Sequence, residues 1–589
     1  GFVLNDLGAE FNQASPNFGE KLAVPWIPIA IRDWTGKEIQ RVYSDEYGTY
    51  NALVPGTYTA NAPNPKGLSV NMLTIVLNDP LRPDGTIDPF YNPMYVTAPW
   101  TFHFISGSHS YLDTPIVPVA GFTTAETRID TEPADGTPMI RRVDGPEDGL
   151  SGPAVGGGPW IRRTGGSTTF RRVTITAMGP TAVINPDYDS TIPGSPMNII
   201  RDYGFGNVRG TVTLCGVPLT VPAGAQYWTP TTIVVNVPAN MPTGELLVTR
   251  SNGKTTPIGV TLHLVENDAA RIHYVPAEFP TIQAAIDAAT TLPGDLILVA
   301  PGNYNENVVM NKPVKLQGFG AGSTAIFGNP NPVDRLQAWH DRVNALGAQD
   351  FATFLMKDPF QANEAPVVLI TGEIEYPAGT LQIPQPGMKV LNPGYPFTKP
   401  SQALLDGFRL NGSKAGGGVF VLGGARYLQI SNNKVDGNQG WGAGGFCVGE
   451  QDTGFDCQND NVLIRRNWLA RNSGVQGAGG ISVNEAADNY VVEDNTLIGN
   501  FSSFNGAGFN HRGLCLGTNI VRRNKILFNE DFYAALLMKA GDGGGIFVSG
   551  GTALAGATGA GNVILDGNHI QGNVTGSGNG GGICISALN

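Results

Sequence analysis

The residues best suited to chemistry fall within one span of the chain. His511 stands between Asn510 and Arg512, and an imidazole beside a guanidinium can move a proton while an anion is held in place. The position of His511 relative to the local repeat is elsewhere filled by Val448, Val483, Val548 and Ile585. It therefore also reads as a core histidine that must find partners or stay neutral. Glu450, Asp452, Asp456 and Asp460 crowd one loop. Oxygen ligands at that density suit calcium, and a solvated acidic loop has the same composition. Cys447 and Cys457 bracket the loop and are expected to close it as a disulfide in an oxidising compartment. Cys215, Cys515 and Cys584 have no evident mate, and no CxxC pair points to zinc. No Ser-His-Asp set, phosphate loop or Cys/His copper cluster is visible.

The elements that hold these residues repeat. Five copies of one pattern begin at Asn433, Asn467, Asn495, Asn524 and Asn568, each followed at a fixed offset by Asn438, Asn472, Asn500, Asn529 and Asn573. Apolar residues flank each first asparagine at constant distances, for example Ile430 and Val435, Ile464 and Leu469, Val492 and Leu497. Glycine pairs and a short alternating strand follow, as in Gly479-Gly480-Ile481-Ser482-Val483. Units of this size that cannot bury their apolar side alone must stack. Short strands without helical periodicity make that stack a parallel β-helix. The asparagines are expected at its corners, in the left-handed conformation, bonded amide to amide between coils. Two columns before the first asparagine alternate in charge: Arg466, Asp494, Arg523 and Arg465, Glu493, Arg522, Asp566. Such ladders favour one register, each exposed pair contributing little. Sequons occur at Asn411, Asn500 and Asn573, the last two on the ladder and expected to be packed.

At 589 residues the chain exceeds one ordinary core. Gly 79 and Pro 43 with only 15% charged residues suggest an all-β extracellular protein. Net charge −12 argues against nucleic acid or anionic membrane as a partner, and no apolar run is long enough to span a bilayer.

Residues 1–125 read as a β-sandwich. Ile27-Pro28-Ile29-Ala30-Ile31, Asp45-Glu46-Tyr47-Gly48-Thr49-Tyr50 and Val54-Pro55-Gly56-Thr57-Tyr58 resemble the B-type repeats of bacterial surface adhesins and prealbumin-like modules. Trp34, Tyr43, Tyr47, Tyr50 and Tyr58 are expected in its core and edges, a sugar-stacking face being the alternative. Residues 126–170, rich in Gly, Pro and paired arginines, read as a linker or an arm laid across a neighbour. Arg141-Arg142, Arg162-Arg163 and Arg171-Arg172 are its densest basic spots and its immediate border. Residues 171–266 resemble an IPT/TIG immunoglobulin-like domain, on Val173-Thr174-Ile175, Tyr203-Gly204-Phe205-Gly206 and Ile233-Val234-Val235-Asn236-Val237-Pro238. From 267 to 589 the chain resembles pectin-lyase-like right-handed β-helices. Phe279-Pro280-Thr281-Ile282-Gln283-Ala284-Ala285-Ile286 matches the short helix, N-capped by Thr281, that plugs the open end. An insertion at about 329–400 is expected to pack outside the coils, and the stack is expected to continue beyond 589.

The resemblance brings enzymes into view without their motifs. Gln451-Asp452-Thr453 matches one tripeptide of pectin methylesterases, but their remaining segments are missing, as is the Asp-Pro-His-Glu run of uronan epimerases. The expectation is a secreted or cell-surface structural and adhesive protein, bacterial, whose β-helix binds other copies of itself or cell-surface polysaccharide. The alternatives are a polysaccharide lyase or epimerase near Glu450 and His511, or a scaffold for a catalytic domain beyond 589. No cofactor is expected; calcium is the one ion the acidic loop would take.

Overall fold

The computed structural model describes residues 1–9, 16, 20–57, 72–117, 129–328, 333–343, 345–346, 365–374, 394–449, 456–531, 541–552 and 558–586, with short breaks at 93–94, 167–168, 189–192, 267–270, 415 and 576–577. The chain is all-β: two N-terminal sandwiches followed by a right-handed parallel β-helix.

In the first sandwich, Pro28–Arg32 lies between Glu38–Tyr43 and Leu73–Leu77, and a second sheet joins Phe2–Ala9 to Lys21–Ala23 and Asp113–Ile116. Alternation along Ile27, Ile29 and Ile31 turns these side chains into the core with Val3, Tyr50 and Leu77. The aromatic set divides: Tyr50 is buried, Tyr43 leans on Phe90, Trp34 stands 65% exposed, and Tyr58 lies outside the described residues.

The second sandwich starts earlier than composition suggests. Ile140–Asp144 pairs with Phe170–Ala177, and Trp160–Arg162 pairs in parallel with Val260–Val265. The stretch expected to be a linker therefore supplies a strand to each sheet, and Trp160 is buried. Three of the arginines in and beside it are engaged locally. Arg142 Nε meets Asp144 at 2.7 Å, Arg163 meets Glu266 at 3.6 Å, and buried Arg171 donates to the carbonyls of Phe170 and Gly165.

Each coil of the solenoid contributes one strand to each of three long parallel walls. The first wall runs from Ile272–Val275 to Gly561–Asp566, the second from Gly302–Tyr304 to His569–Gln571, the third from Val308–Met310 to Ile583–Ser586. A short fourth wall, from Gln439–Gly440 to Val574–Thr575, forms between the second and third. Inward columns such as Ile430, Ile464, Val492 and Val521 merge into one core, where each buried aliphatic side chain contributes roughly 1.5–3 kcal/mol. The helix Ile282–Asp287 closes the first end with Ile282, Ala285 and Ile286 fully buried, Thr281 accepting from Ala284 N at 3.0 Å. Glu306 holds the helix start, accepting from the N–H groups of Ile282 and Gln283 at 3.0 Å each. Within the insertion, helix Val333–Val343 sets Trp339 and Val343 against Val309, Leu369 and Leu422 on the outside of the third wall.

Both asparagine ladders are formed. Asn467 donates from its backbone N and from Nδ2 to Oδ1 of Asn495, both at 3.0 Å, while Nδ2 also reaches the Ile430 carbonyl one coil back at 2.9 Å. Asn433, Asn495, Asn524 and Asn568 continue that column, and Asn438 to Asn573 form the second. The left-handed residue, however, is the one before each asparagine. Asn432 has φ 56°, Arg466 50°, Asp494 57° and Arg523 52°; Gly437, Arg471, Gly499 and Phe528 do the same on the second ladder. The asparagine supplies the amide, and its predecessor makes the bend at a cost of about 1–2 kcal/mol where it is not glycine.

Candidate functional site

His511 fills the inward column of the third wall between Val483 and Val548 and is wholly buried. Its Nε2 lies 3.0 Å from the carbonyls of Gly513 and Ala560, which can only accept, so Nε2 carries the hydrogen. Nδ1 then accepts from the Tyr490 hydroxyl at 2.9 Å. Burial pushes the imidazole down to about 4, so it stays neutral with both nitrogens occupied. With the ring wholly buried and both nitrogens bonded to the protein, His511 stands as a hydrogen-bonded core residue. Arg512 turns the other way, its guanidinium 5.6 Å over the Phe504 ring.

Of the acidic loop, Glu450 and Asp452 lie outside the described residues. Asp456 and Asp460 stand with Asp488, which sequence spacing did not single out. The Asp488 N–H donates to Asp460 Oδ1 at 3.4 Å, and Leu516 N donates to Asp488 Oδ1 at 2.5 Å. Burial, then the charges of Asp456 and Asp488, raise Asp460 to about 6. Arg426 Nε sits 3.6 Å from it. Among the described residues no set of three or more His, Cys, Asp or Glu is arranged to hold a metal ion.

Cys447 and Cys457 are buried thiols, and no disulfide joins them. Cys447 Sγ donates to the Gly449 carbonyl at 3.3 Å and receives Asn484 Nδ2 at 3.4 Å, while Cys457 packs with Trp339 and Leu422. The two side chains are committed to different neighbours.

Sequence spacing missed two sites. The first is the seam between the second sandwich and the solenoid. Asp406, fully buried, accepts on Oδ1 from Thr261 N at 3.1 Å and Gln317 Nε2 at 2.8 Å. Its Oδ2 accepts from Thr261 Oγ1, Ser431 Oγ and Asn432 Nδ2, each at 2.7 Å. Asn432 Oδ1 accepts from Gly259 N, and Trp468 Nε1 reaches the Thr131 carbonyl at 3.1 Å. Glu245 of the sandwich meets Arg465 at 3.1 Å and Arg466 at 2.7 Å. Glu132 meets Lys434 at 2.7 Å and Arg471 at 3.3 Å. Beside this seam opens a cleft of about 360 Å³, walled by Met178, Thr181, Val183 and Asn198 of the sandwich and by Asn303, Ser323, Phe327 and Arg409 of the coils.

The second is Asp531 on the short fourth wall. It is buried, Oδ1 accepts from Ala507 N at 3.0 Å, and Oδ2 has no partner among the described residues. Burial first, then the nearby charges of Asp542 and Glu530, hold it well above the usual carboxylate range.

The chain matches no protein-family profile and no curated protein. Two solved structures align with it, both of the catalytic domain of a GH87 alpha-1,3-glucanase in complex with nigerose, in two single-residue variants. Identities are 11% and 12%, TM-scores 0.23 and 0.21, each covering 71% of this chain and 78% of the other. Likenesses of that size say nothing about the chemistry of this chain.

Proposed function

We propose that the chain is a polysaccharide-binding protein of a bacterial cell surface. One observation carries this reading: the second sandwich and the coils are locked together by a buried polar seam, and beside it they leave a cleft of about 360 Å³ with amide, hydroxyl, guanidinium and apolar walls. That volume is at the lower end of the ~300–1,000 Å³ usual for small-ligand sites. Mixed polarity of this kind suits a sugar, whose hydroxyls need donors and acceptors and whose ring C–H faces need apolar contact. A panel of neutral and acidic polysaccharides tested against the intact chain decides the matter: saturable binding to at least one is expected, and binding to none refutes it.

A second reading, glycan cleavage, is favoured by Asp531. A carboxyl that burial and then the charge of Asp542 hold well above the usual carboxylate range, with one oxygen unengaged among the described residues, has the character of a general acid beside a base once the wall over it opens to a sugar. Turnover of any panel polysaccharide that disappears in Asp531→Asn would establish it; absence of reducing ends and of unsaturated products in the wild type would dismiss it.

A further inference from the structure

We propose that the cleft between the second sandwich and the solenoid takes a hexuronate residue of an acidic polysaccharide, with its carboxylate received by Arg409. This deepens the polysaccharide-binding reading and rests on it. The charge around the cleft is unbalanced. Among the described residues, Arg409, Lys434 and Arg471 share two carboxylates, Glu132 and Asp436, so the printed pairs carry one positive charge more than they neutralise, in a protein of net charge −12.

Arg409 is the cation with an open side. Its side chain is 42% exposed, against 21% for Lys434 and 18% for Arg471. It grips Asp436 side-on, from Nε at 2.9 Å and Nη2 at 2.6 Å. Nη1 has no partner among the described residues, so the end-on edge of the guanidinium, Nη1 with the second hydrogen of Nη2, remains available. That edge offers two parallel N–H donors, the geometry a carboxylate accepts bidentately. An ammonium would offer no such fork, which favours a planar carboxylate over a diffuse anion.

The remaining walls fit the rest of a sugar ring. The amide of Asn303 stands on the coil wall of the cleft, exposed and without side-chain partners among the described residues. It offers both a donor and an acceptor to ring hydroxyls. Met178 supplies a polarizable apolar surface on the sandwich wall.

The test uses the intact chain, calorimetric titration with trigalacturonate and with the corresponding neutral galactose trimer, and a polysaccharide panel in parallel. Two variants are compared with wild type: Arg409→Gln, which removes the fork, and Asn303→Trp, which fills the cleft from an exposed strand position on the coil wall without touching the ion pairs. Melting temperatures confirm folding, so loss of Arg409→Gln to misfolding leaves Asn303→Trp decisive. Trigalacturonate is expected to bind, the neutral trimer and both variants being weaker by about tenfold or more. Undiminished binding in Asn303→Trp would overturn the cleft assignment while leaving polysaccharide binding in place. Equal affinity for the neutral trimer, or binding of neutral polymers alone, would overturn the uronate assignment with the same consequence. No binding to any polysaccharide would overturn both.

Discussion

Asp406→Asn tests whether the seam is what fixes the two domains together. The substitution keeps volume and shape and removes one acceptor oxygen. In the native seam, Oδ1 faces Thr261 N and Gln317 Nε2, and Oδ2 faces Thr261 Oγ1, Ser431 Oγ and Asn432 Nδ2. The hydroxyls can rotate away from an introduced NH2 group. Thr261 N cannot, and Asn432 Nδ2 is pinned because Asn432 Oδ1 already accepts from Gly259 N at 3.0 Å. Either orientation of the new amide therefore opposes a donor to a donor, and the charge that strengthened the surviving bonds is gone. A lost charge-assisted bond of about 1.5–3 kcal/mol, with one buried donor orphaned, gives an expected cost of about 2–4 kcal/mol. Thr261→Val, which removes only the hydroxyl donor, should cost about 1–2 kcal/mol. In a chain of several domains a single unfolding free energy is poorly defined, so the assay is native-state hydrogen exchange, read at the amides of 259–263 and at 404–406. Asp406→Asn should lower protection at both places together. Protection unchanged at 259–263 would refute the claim that this carboxylate joins the domains.

The ladder predicts that Asn467→Leu, which deletes the links to Asn495 and to the Ile430 carbonyl, destabilises by about 1–3 kcal/mol, while the same change at exposed Asn240 is near neutral; denaturant midpoints would show both. Asp460 is raised to about 6 in the folded state by burial and by Asp456 and Asp488, so its contribution is fully present below about 4 and is lost as pH rises through 6. Melting temperature should therefore fall between pH 4 and 6.5 in the wild type, and less in Asp460→Asn; identical slopes would count against the carboxylate cluster. His511 has the opposite sign. With its pKa lowered to about 4 by burial, its contribution is intact above about 6.5 and is lost as pH falls toward 4. His511→Phe, which strands the Tyr490 hydroxyl and two carbonyls, should cost about 2–4 kcal/mol at pH 7.5 and less at pH 5, without altering any glycan binding.

What was legible in the sequence was whatever repeats. The asparagine columns, the inward slot of His511 and the plugging helix follow from spacing, because stacked coils translate a fixed interval along the chain into a contact. What the sequence left hidden depended on contacts without an interval. Asp406 looks like any residue between Leu405 and Gly407, and its Thr261 partner lies 145 positions away. The arginine-rich stretch 126–170 looked like a linker because its strands, Ile140–Asp144 and Trp160–Arg162, are short and interrupted by glycine. Asn459, inside the acidic stretch that reads as one loop, is fully buried, accepting from Ala425 N at 3.2 Å and donating to the Val421 carbonyl, so it belongs with the structural asparagines.

The alternating charge columns do more than favour one stacking register. Arg522 and Arg523 pair with Glu493 at 2.7 and 3.0 Å, and Arg523 pairs with Asp494 at 2.9 Å. One coil earlier, Arg465 and Arg466 turn instead to Glu245 of the second sandwich. Glu245 is largely desolvated, and burial raises its pKa against the lowering effect of these two arginines, so it needs a cationic coil beneath it. Coils are spaced by about 4.8 Å. Sliding the sandwich one coil toward the C-terminal end would set Glu245 over Glu493 and Asp494, carboxylate on carboxylate, with its desolvation uncompensated. Sliding it two coils would restore arginines, Arg522 and Arg523, but Thr261 would lose Asp406 and Glu132 would lose Lys434 and Arg471. The columns forbid the nearest error and the buried seam forbids the next, so one docking position survives.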